Sequence, residues 1–164
     1  MKTRIGVIGA DGKITPQVSN ISERIGADIA KSDSVLICGG RGGVMEAACR
    51  GAKNAGGLVI GILPSYDKKE GNPYMDAAIT TGLNHSRNSL VVSSSDAIIA
   101  INGRPGTLSE AAIALCMGKP LVAVAGSGGV AGILEEELKK MGIKEKIRTV
   151  SPEHAVKTAL KLIK

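Results

Sequence analysis

Short apolar runs alternate with amphipathic segments along the chain. Each run is nearly continuous in hydrophobicity, which is typical of strands buried on both faces. Such runs predict strands at Arg4–Ile8, Val35–Cys38, Leu58–Leu63, Ala77–Thr81, Ala97–Ile101, Leu121–Ala125 and Ile147–Val150. Apolar residues at helical spacing predict helices after Thr15, over Val44–Ala55, Asn84–Val92, Ala111–Met117 and Val130–Met141, and after Ser151.

Alternating strands and helices with apolar strands predict a parallel sheet covered on both faces. We therefore expect one doubly wound, Rossmann-like α/β domain spanning residues 1–164. Ligands of such sheets bind at the carboxyl ends of the strands, near the switch in strand order. The polar segment 64–76 is the one long loop, and its length favours a binding loop or lid.

Two glycine-rich turns follow predicted strands and precede predicted helices. The first is Gly39-Gly40-Arg41-Gly42-Gly43, and the second runs from Asn102 to Glu110. The free N–H groups of a helix start and the helix dipole favour an anion, and glycine permits its close approach. The turns predict a phosphate-bearing ligand, held by residues that include the end of the first strand: Gly9, Gly40, Arg41, Gly42, Gly43, Gly103, Arg104, Gly106 and Thr107.

Two common nucleotide-binding motifs are absent from the sequence. The spacing Gly6-x-x-Gly9-x-x-Gly12 departs from the dinucleotide fingerprint, and Gly39-Gly40 stands where NAD enzymes hold an acidic residue. There is also no GxxxxGK[ST] segment, so ATP hydrolysis of the P-loop type is excluded.

The segment His85-Ser86-Arg87-Asn88 is expected to reach the same sheet edge as the glycine turns. Arg87 there is a candidate bidentate partner for phosphate or carboxylate, with Asn88 beside it. We interpret His85 as a structural histidine. Thr107-x-x-Glu110 has the spacing of a helix capping box, which needs no ligand. Capping and a functional carboxylate are equal alternatives for Glu110.

Composition narrows the possible partners. Tyr66 and Tyr74 are the only aromatic residues, which disfavours base stacking on aromatic side chains. The formal net charge of +6 arises from residues 139–164, whose dispersed lysines favour a solvated helix face over nucleic-acid binding. No segment is long and apolar enough to span a membrane, and no signal peptide is visible.

The three cysteines also bear on compartment and chemistry. Cys38, Cys49 and Cys116 are odd in number and lack the spacing of a metal site, so we expect no metal centre. Packing is the expected role of each, and reduced thiols favour a cytoplasmic location.

These motifs together resemble the Lonely Guy (LOG)-type superfamily, often mislabelled lysine decarboxylases. The matching segments are Gly39–Met45, Arg87-Asn88 and Gly103-x-x-Gly106-Thr107-x-x-Glu110. The resemblance is greatest to the branch with molybdenum-cofactor carrier proteins. It implies a Rossmann-like fold, a homodimer or dimer of dimers, and cleavage of a nucleoside 5′-monophosphate into base and ribose 5-phosphate. It also implies catalytic roles for Arg87 and Glu110.

Several positions depart from the LOG pattern. Asn102 replaces a proline, Arg104 replaces a glycine, and Glu46 stands where a glycine is expected. Glu46 would repel a nearby phosphate unless it points away or pairs with Arg41. Two main hypotheses follow, neither requiring a cofactor. One is a LOG-like nucleotide-binding protein with N-glycosidic hydrolase activity. The other is a non-catalytic carrier or sensor of a nucleotide or molybdopterin. A basic interaction module at residues 139–164 is a third.

Overall fold

The computed structural model describes residues 1–143 and 147–163. Its strands form one parallel sheet of seven members in the order β4-β3-β2-β1-β5-β6-β7. Their bounds are β1 Arg4–Gly9, β2 Val35–Cys38, β3 Leu58–Leu63, β4 Ala77–Thr80, β5 Ala97–Ile101, β6 Leu121–Val124 and β7 Ile147–Val150. The predicted parallel sheet is confirmed.

Helices cover both faces of this sheet, as the doubly wound prediction requires. Their bounds are α1 Pro16–Lys31, α2 Val44–Asn54, α3 Asn88–Ser93, α4 Pro105–Cys116, α5 Gly129–Lys140 and α6 Ala155–Ile163. One apolar core joins the sheet to α1, α2 and α6, and a second joins the other face to α3, α4 and α5. None of the helices in the described segments is both long and apolar enough to cross a membrane.

The strand order reverses between β1 and β5. The chain first winds outward from β1 to β4, then returns to add β5 beside β1 and winds the other way. The last residues of the two central strands, Gly9 and Ile101, are register partners. The carboxyl ends of β1, β2 and β5 therefore surround the switch point, where sheets of this kind bind ligands.

Local sequence signals explain most of the element boundaries. Thr15 caps α1, its hydroxyl accepting a hydrogen bond from the Val18 N–H at 3.3 Å, and Pro16 occupies the first helical position. Two predicted helices are corrected. The Asn84–Val92 segment divides into a 3-10 turn over Asn84–Arg87 followed by α3, and α4 begins at Pro105 rather than Ala111.

The cysteine predictions hold for two of the three side chains. Cys38 and Cys49 are fully buried, with their Sγ atoms 3.4 Å apart beneath the first glycine-rich turn. Their hydrogen bond lowers the pKa of Cys38 and raises that of Cys49. Cys116 is exposed, so the packing role predicted for it is wrong.

Candidate functional site

A cavity of about 640 Å³ opens over the switch point. Five segments form its walls: the chain after β1, the turn after β2, Pro64 after β3, the 3-10 turn before α3 and the start of α4. It includes eight of the predicted site residues: Gly9, Arg41, Arg87, Asn88, Arg104, Gly106, Thr107 and Glu110. The predicted residues Gly40, Gly42, Gly43 and Gly103 are not among the lining residues but shape the turns behind the wall.

The start of α4 presents backbone amides to this cavity. Pro105 is the first helical residue, so Gly106 and Thr107 belong to the first turn, whose N–H groups have no partner within the helix. A Cβ atom added to Gly106 would meet nothing within 4 Å. Packing therefore leaves the space beside this turn open to a ligand.

The helix start also decides the alternatives for Glu110. Thr107 is the third helical residue, and its hydroxyl accepts from the Arg104 N–H at 3.4 Å. Glu110 lies one turn further along and takes no part in capping. The capping interpretation of Glu110 is wrong, because the helix begins three residues earlier than that interpretation requires.

Asn102 and Gly103 form the tight turn between β5 and α4. Both have positive φ values, +55° and +108°, a region that asparagine tolerates and glycine favours. The Asn102 amide donates to the Ser127 carbonyl at 2.7 Å, and the Asn102 N–H donates to the Ser127 hydroxyl at 2.8 Å. The asparagine that departs from the LOG pattern thus ties this turn to the segment after β6. Ser127 was not predicted.

Arg87 lies in the wall of the cavity and is only 8% exposed. Its Nη1 lies 3.5 Å from a Glu110 carboxylate oxygen and donates to the Asn88 side-chain oxygen at 2.8 Å. Its Nη2 donates to the Gly39 carbonyl at 3.4 Å. In the described part of the chain, its Nε is the buried side-chain nitrogen without a hydrogen-bond partner. Buried donors without a partner are rare in folded proteins, which makes Arg87 a candidate functional residue.

Burial dominates the ionisation of this pair. It raises the pKa of Glu110 to about 7, although the Arg87 charge opposes the rise. Burial also lowers the pKa of Arg87, and Glu110 opposes that effect. The cavity wall therefore holds a carboxyl group that changes charge near neutral pH.

The absence of a side chain at Gly39 allows the Arg87 guanidinium to pack against this turn. A Cβ atom on Gly39 would approach Arg87 Nη2 to 2.6 Å. Two later glycines of this turn are required by the backbone conformation, because Gly40 and Gly43 have positive φ values of +71° and +60°. A Cβ on Gly43 would lie 2.3 Å from the Ala10 carbonyl oxygen. These glycines position the turn rather than open it to a ligand.

Asp11 is a cavity residue that the sequence prediction missed. Its Oδ1 accepts from the Gly12 and Gly42 N–H groups at 2.8 and 3.0 Å, and its Oδ2 accepts from Arg41 Nε at 2.9 Å. The signal in the sequence was its position two residues after the β1 carboxyl end.

The positions of Glu46 and His85 test two further expectations from the sequence. Glu46 points away from the cavity into a separate surface pocket shared with Arg50, and Arg41 pairs with Asp11 instead. Glu46 therefore lies outside the cavity, although its Oε2 would be 3.8 Å from a Cβ atom placed on Gly42. His85 is exposed and lines the cavity, so its interpretation as a structural histidine is wrong.

The loop 64–76 is attached to the first glycine-rich turn. Asn72 is buried, and its side-chain amide donates to the Arg41 carbonyl at 3.0 Å. Its N–H donates to the Gly40 carbonyl at 2.9 Å. Pro64, at the start of the same loop, lines the cavity. The loop therefore supports the site from behind.

Comparison with known proteins agrees with this architecture. The model of the SLOG cluster4 family matches residues 2–157. An uncharacterized protein from Archaeoglobus fulgidus is 50% identical over 116 residues, which cover 71% of this chain and 76% of that protein.

Two solved structures are similar over nearly their whole length. The molybdenum cofactor binding protein from the phototrophic bacterium Rippkaea orientalis is 38% identical, with a TM-score of 0.90 over 100% of this chain and 99% of that one. The molybdenum cofactor carrier protein from Chlamydomonas reinhardtii is 30% identical, with a TM-score of 0.88 over 99% of both chains.

The family match covers most of the chain. The similar solved structures agree with the family resemblance that the glycine-rich turns and Arg87 carry in the sequence. The chain thus belongs to the SLOG cluster4 family, in the branch of the LOG-like Rossmann superfamily that contains the molybdenum cofactor carrier proteins.

Proposed function

We propose that this protein binds a phosphorylated small molecule in the switch-point cavity and acts as a carrier, with molybdopterin or a nucleotide as its ligand. The observation that carries the proposal is the buried Arg87, whose Nε lacks a partner within the described residues, in the same cavity as the first turn of α4. A phosphate oxygen is a strong acceptor for guanidinium and backbone N–H groups alike.

The charges around the cavity support an anionic ligand. Arg41 pairs with Asp11 and Arg87 pairs with Glu110. Arg104 lines the cavity, is exposed and has no ion pair among residues 1–143 and 147–163. The cavity volume of about 640 Å³ lies within the range of small-molecule sites. The two solved relatives with molybdenum cofactor in their names add support for the carrier role.

A second candidate is hydrolysis of the N-glycosidic bond of a nucleoside 5′-monophosphate. The observation that favours it is Glu110, a buried carboxyl group that lies beside Arg87 and is not used for capping. In this reaction the OH of water bonds to the ribose C1′ as the bond to the base nitrogen breaks, and the proton of that water ends on the departing base. The ionised Glu110 would stabilise the positive charge that develops on the ribose, while α4 and Arg87 hold the phosphate.

Calorimetric titration with molybdopterin and with a panel of nucleoside 5′-monophosphates tests the carrier proposal. We expect saturable binding that Arg104→Ala weakens about tenfold, since roughly 1.4 kcal/mol is a typical contribution of one charge-assisted contact. Arg24→Ala, on α1 and outside this cavity, is the matched control and should bind as the parent does. Equal affinities for Arg104→Ala and the parent, or no binding of any compound, would refute the proposal.

Base release from the same monophosphates, scored by chromatography, separates the two candidates. Release that disappears in Glu110→Gln would establish the hydrolase. Binding without release would leave the carrier. The homodimer expected from the resemblance stays a prediction, which sedimentation of the purified protein will test.

A further inference from the structure

The first glycine-rich turn already holds a carboxylate from its own chain. Asp11 accepts hydrogen bonds from two backbone amides, those of Gly12 and Gly42, and from the Arg41 guanidinium. Backbone amides combined with a guanidinium are a typical donor set for phosphates and carboxylates in proteins. Asp11 thus takes the place that an external anion would occupy at this turn.

Other amides of the turn are also engaged. The Gly40 N–H donates to Cys38 Sγ at 3.3 Å, and the Val44 N–H donates to the Ala10 carbonyl at 2.9 Å. The start of α4 differs, because its first-turn amides have no partner within the helix and open space lies beside Gly106. The two turns looked equivalent in the sequence, but they offer a ligand different chemistry.

We propose that Asp11 determines the specificity of the cavity by filling the second of two anion positions. The inference rests on the proposed function and deepens it: a ligand places one phosphate at the start of α4 and no anionic group at Gly42. A ligand with anionic groups at both ends is rejected, because its second anion would have to displace Asp11 from three donors.

Asp11 also limits which hydrogen-bonding groups the rest of the ligand can carry. A carboxylate has about four acceptor positions, and three of them are used by Gly12, Gly42 and Arg41. Asp11 lines the cavity, so the remaining position can accept from a hydroxyl or amino group. The preferred ligand class is therefore a molecule with one terminal phosphate, no second anionic group at the Gly42 position, and a hydroxyl or amino donor that faces Asp11.

Crystals soaked in sodium tungstate provide the test. Tungstate is a tetrahedral oxyanion, and its anomalous signal shows both the number and the positions of bound ions. We expect the parent to hold one ion at the start of α4. We expect Asp11→Ala to hold a second ion at Gly42 and Arg41, because alanine frees the Gly12 and Gly42 amides and removes the carboxylate that pairs with Arg41.

Two further variants control the experiment. Asp33→Asn removes an exposed carboxylate that pairs with Lys2, and it should give the single ion of the parent. The double variant Asp11→Ala with Arg41→Gln should lose the second ion again. If Asp11→Ala does not fold, Asp11→Gly replaces it, since glycine also leaves the Gly12 and Gly42 amides free.

The outcomes separate this inference from the proposed function. A parent crystal with no ion at α4 would overturn the proposed anion site itself. A parent with an ion already at Gly42, or an Asp11→Ala crystal with an ion at α4 alone, would overturn the role of Asp11 and leave the proposed function standing.

Discussion

Glu110→Gln should change how the stability of the protein depends on pH. In the folded state burial raises the pKa of Glu110 from 4.5 to about 7. One pKa unit corresponds to roughly 1.4 kcal/mol, so the ionised carboxylate destabilises the folded state by about 3 kcal/mol. The pKa of Glu110 is higher in the folded state than in the unfolded state, so protonation of Glu110 favours folding. This contribution to stability is fully present below pH 4.5 and is lost as pH rises towards about 7.

The assay is urea unfolding of both proteins across a pH series from about 4 to 9. The free energy of unfolding of the parent should fall, relative to Glu110→Gln, by about 3 kcal/mol over this range, with a plateau above the folded pKa. The loss of the Arg87 partner shifts the variant by a constant, since arginine stays charged at every pH used. Other titrating groups cancel in the difference.

Glu137→Gln is the matched control, because Glu137 is exposed on α5 and its ion pair with Lys140 lies at the surface. Its stability should follow that of the parent at every pH within about 0.5 kcal/mol. Parallel curves for Glu110→Gln and the parent would refute the reasoning, because a carboxyl group with an ordinary pKa in the fold gives no such divergence.

The remaining predictions concern the turn, the thiols and the first helix. Gly39→Ala should displace the Arg87 guanidinium and so weaken anion binding, measured by calorimetry, at least about tenfold. The control Gly132→Ala should bind as the parent does, because its new Cβ atom meets nothing within 4 Å. A thiol reagent should modify one cysteine of the native protein, Cys116, and all three after unfolding; rapid reaction of more than one would contradict the burial of the others. Thr15→Ala should lower the free energy of unfolding by about 1 kcal/mol, measured in urea, and an unchanged value would argue against the cap.

The hydrophobic pattern was sufficient to predict the parallel sheet and the edge, at the carboxyl ends of its strands, where the cavity lies. Runs such as Ala97–Ile101 are apolar throughout because strands in a covered parallel sheet meet no water on either face. The position of the Gly106 turn at this edge was predictable for a similar reason, since the turn directly follows a strand of the parallel sheet. These features depend on residues close together in the chain.

Long-range packing decided the rest. Asp11 and Gly42 are far apart in sequence, and only the pairing of β1 with β2 brings the carboxylate to the turn. The pKa of Glu110 depends on burial by the surrounding fold, and the start of α4 depends on the anchoring of Asn102 to Ser127. The sequence by itself determined the strands, the turns and the edge where they meet. Only the tertiary structure decided that Asp11 occupies the Gly42 amide and Arg41, because those hydrogen bonds join segments that are distant in the sequence.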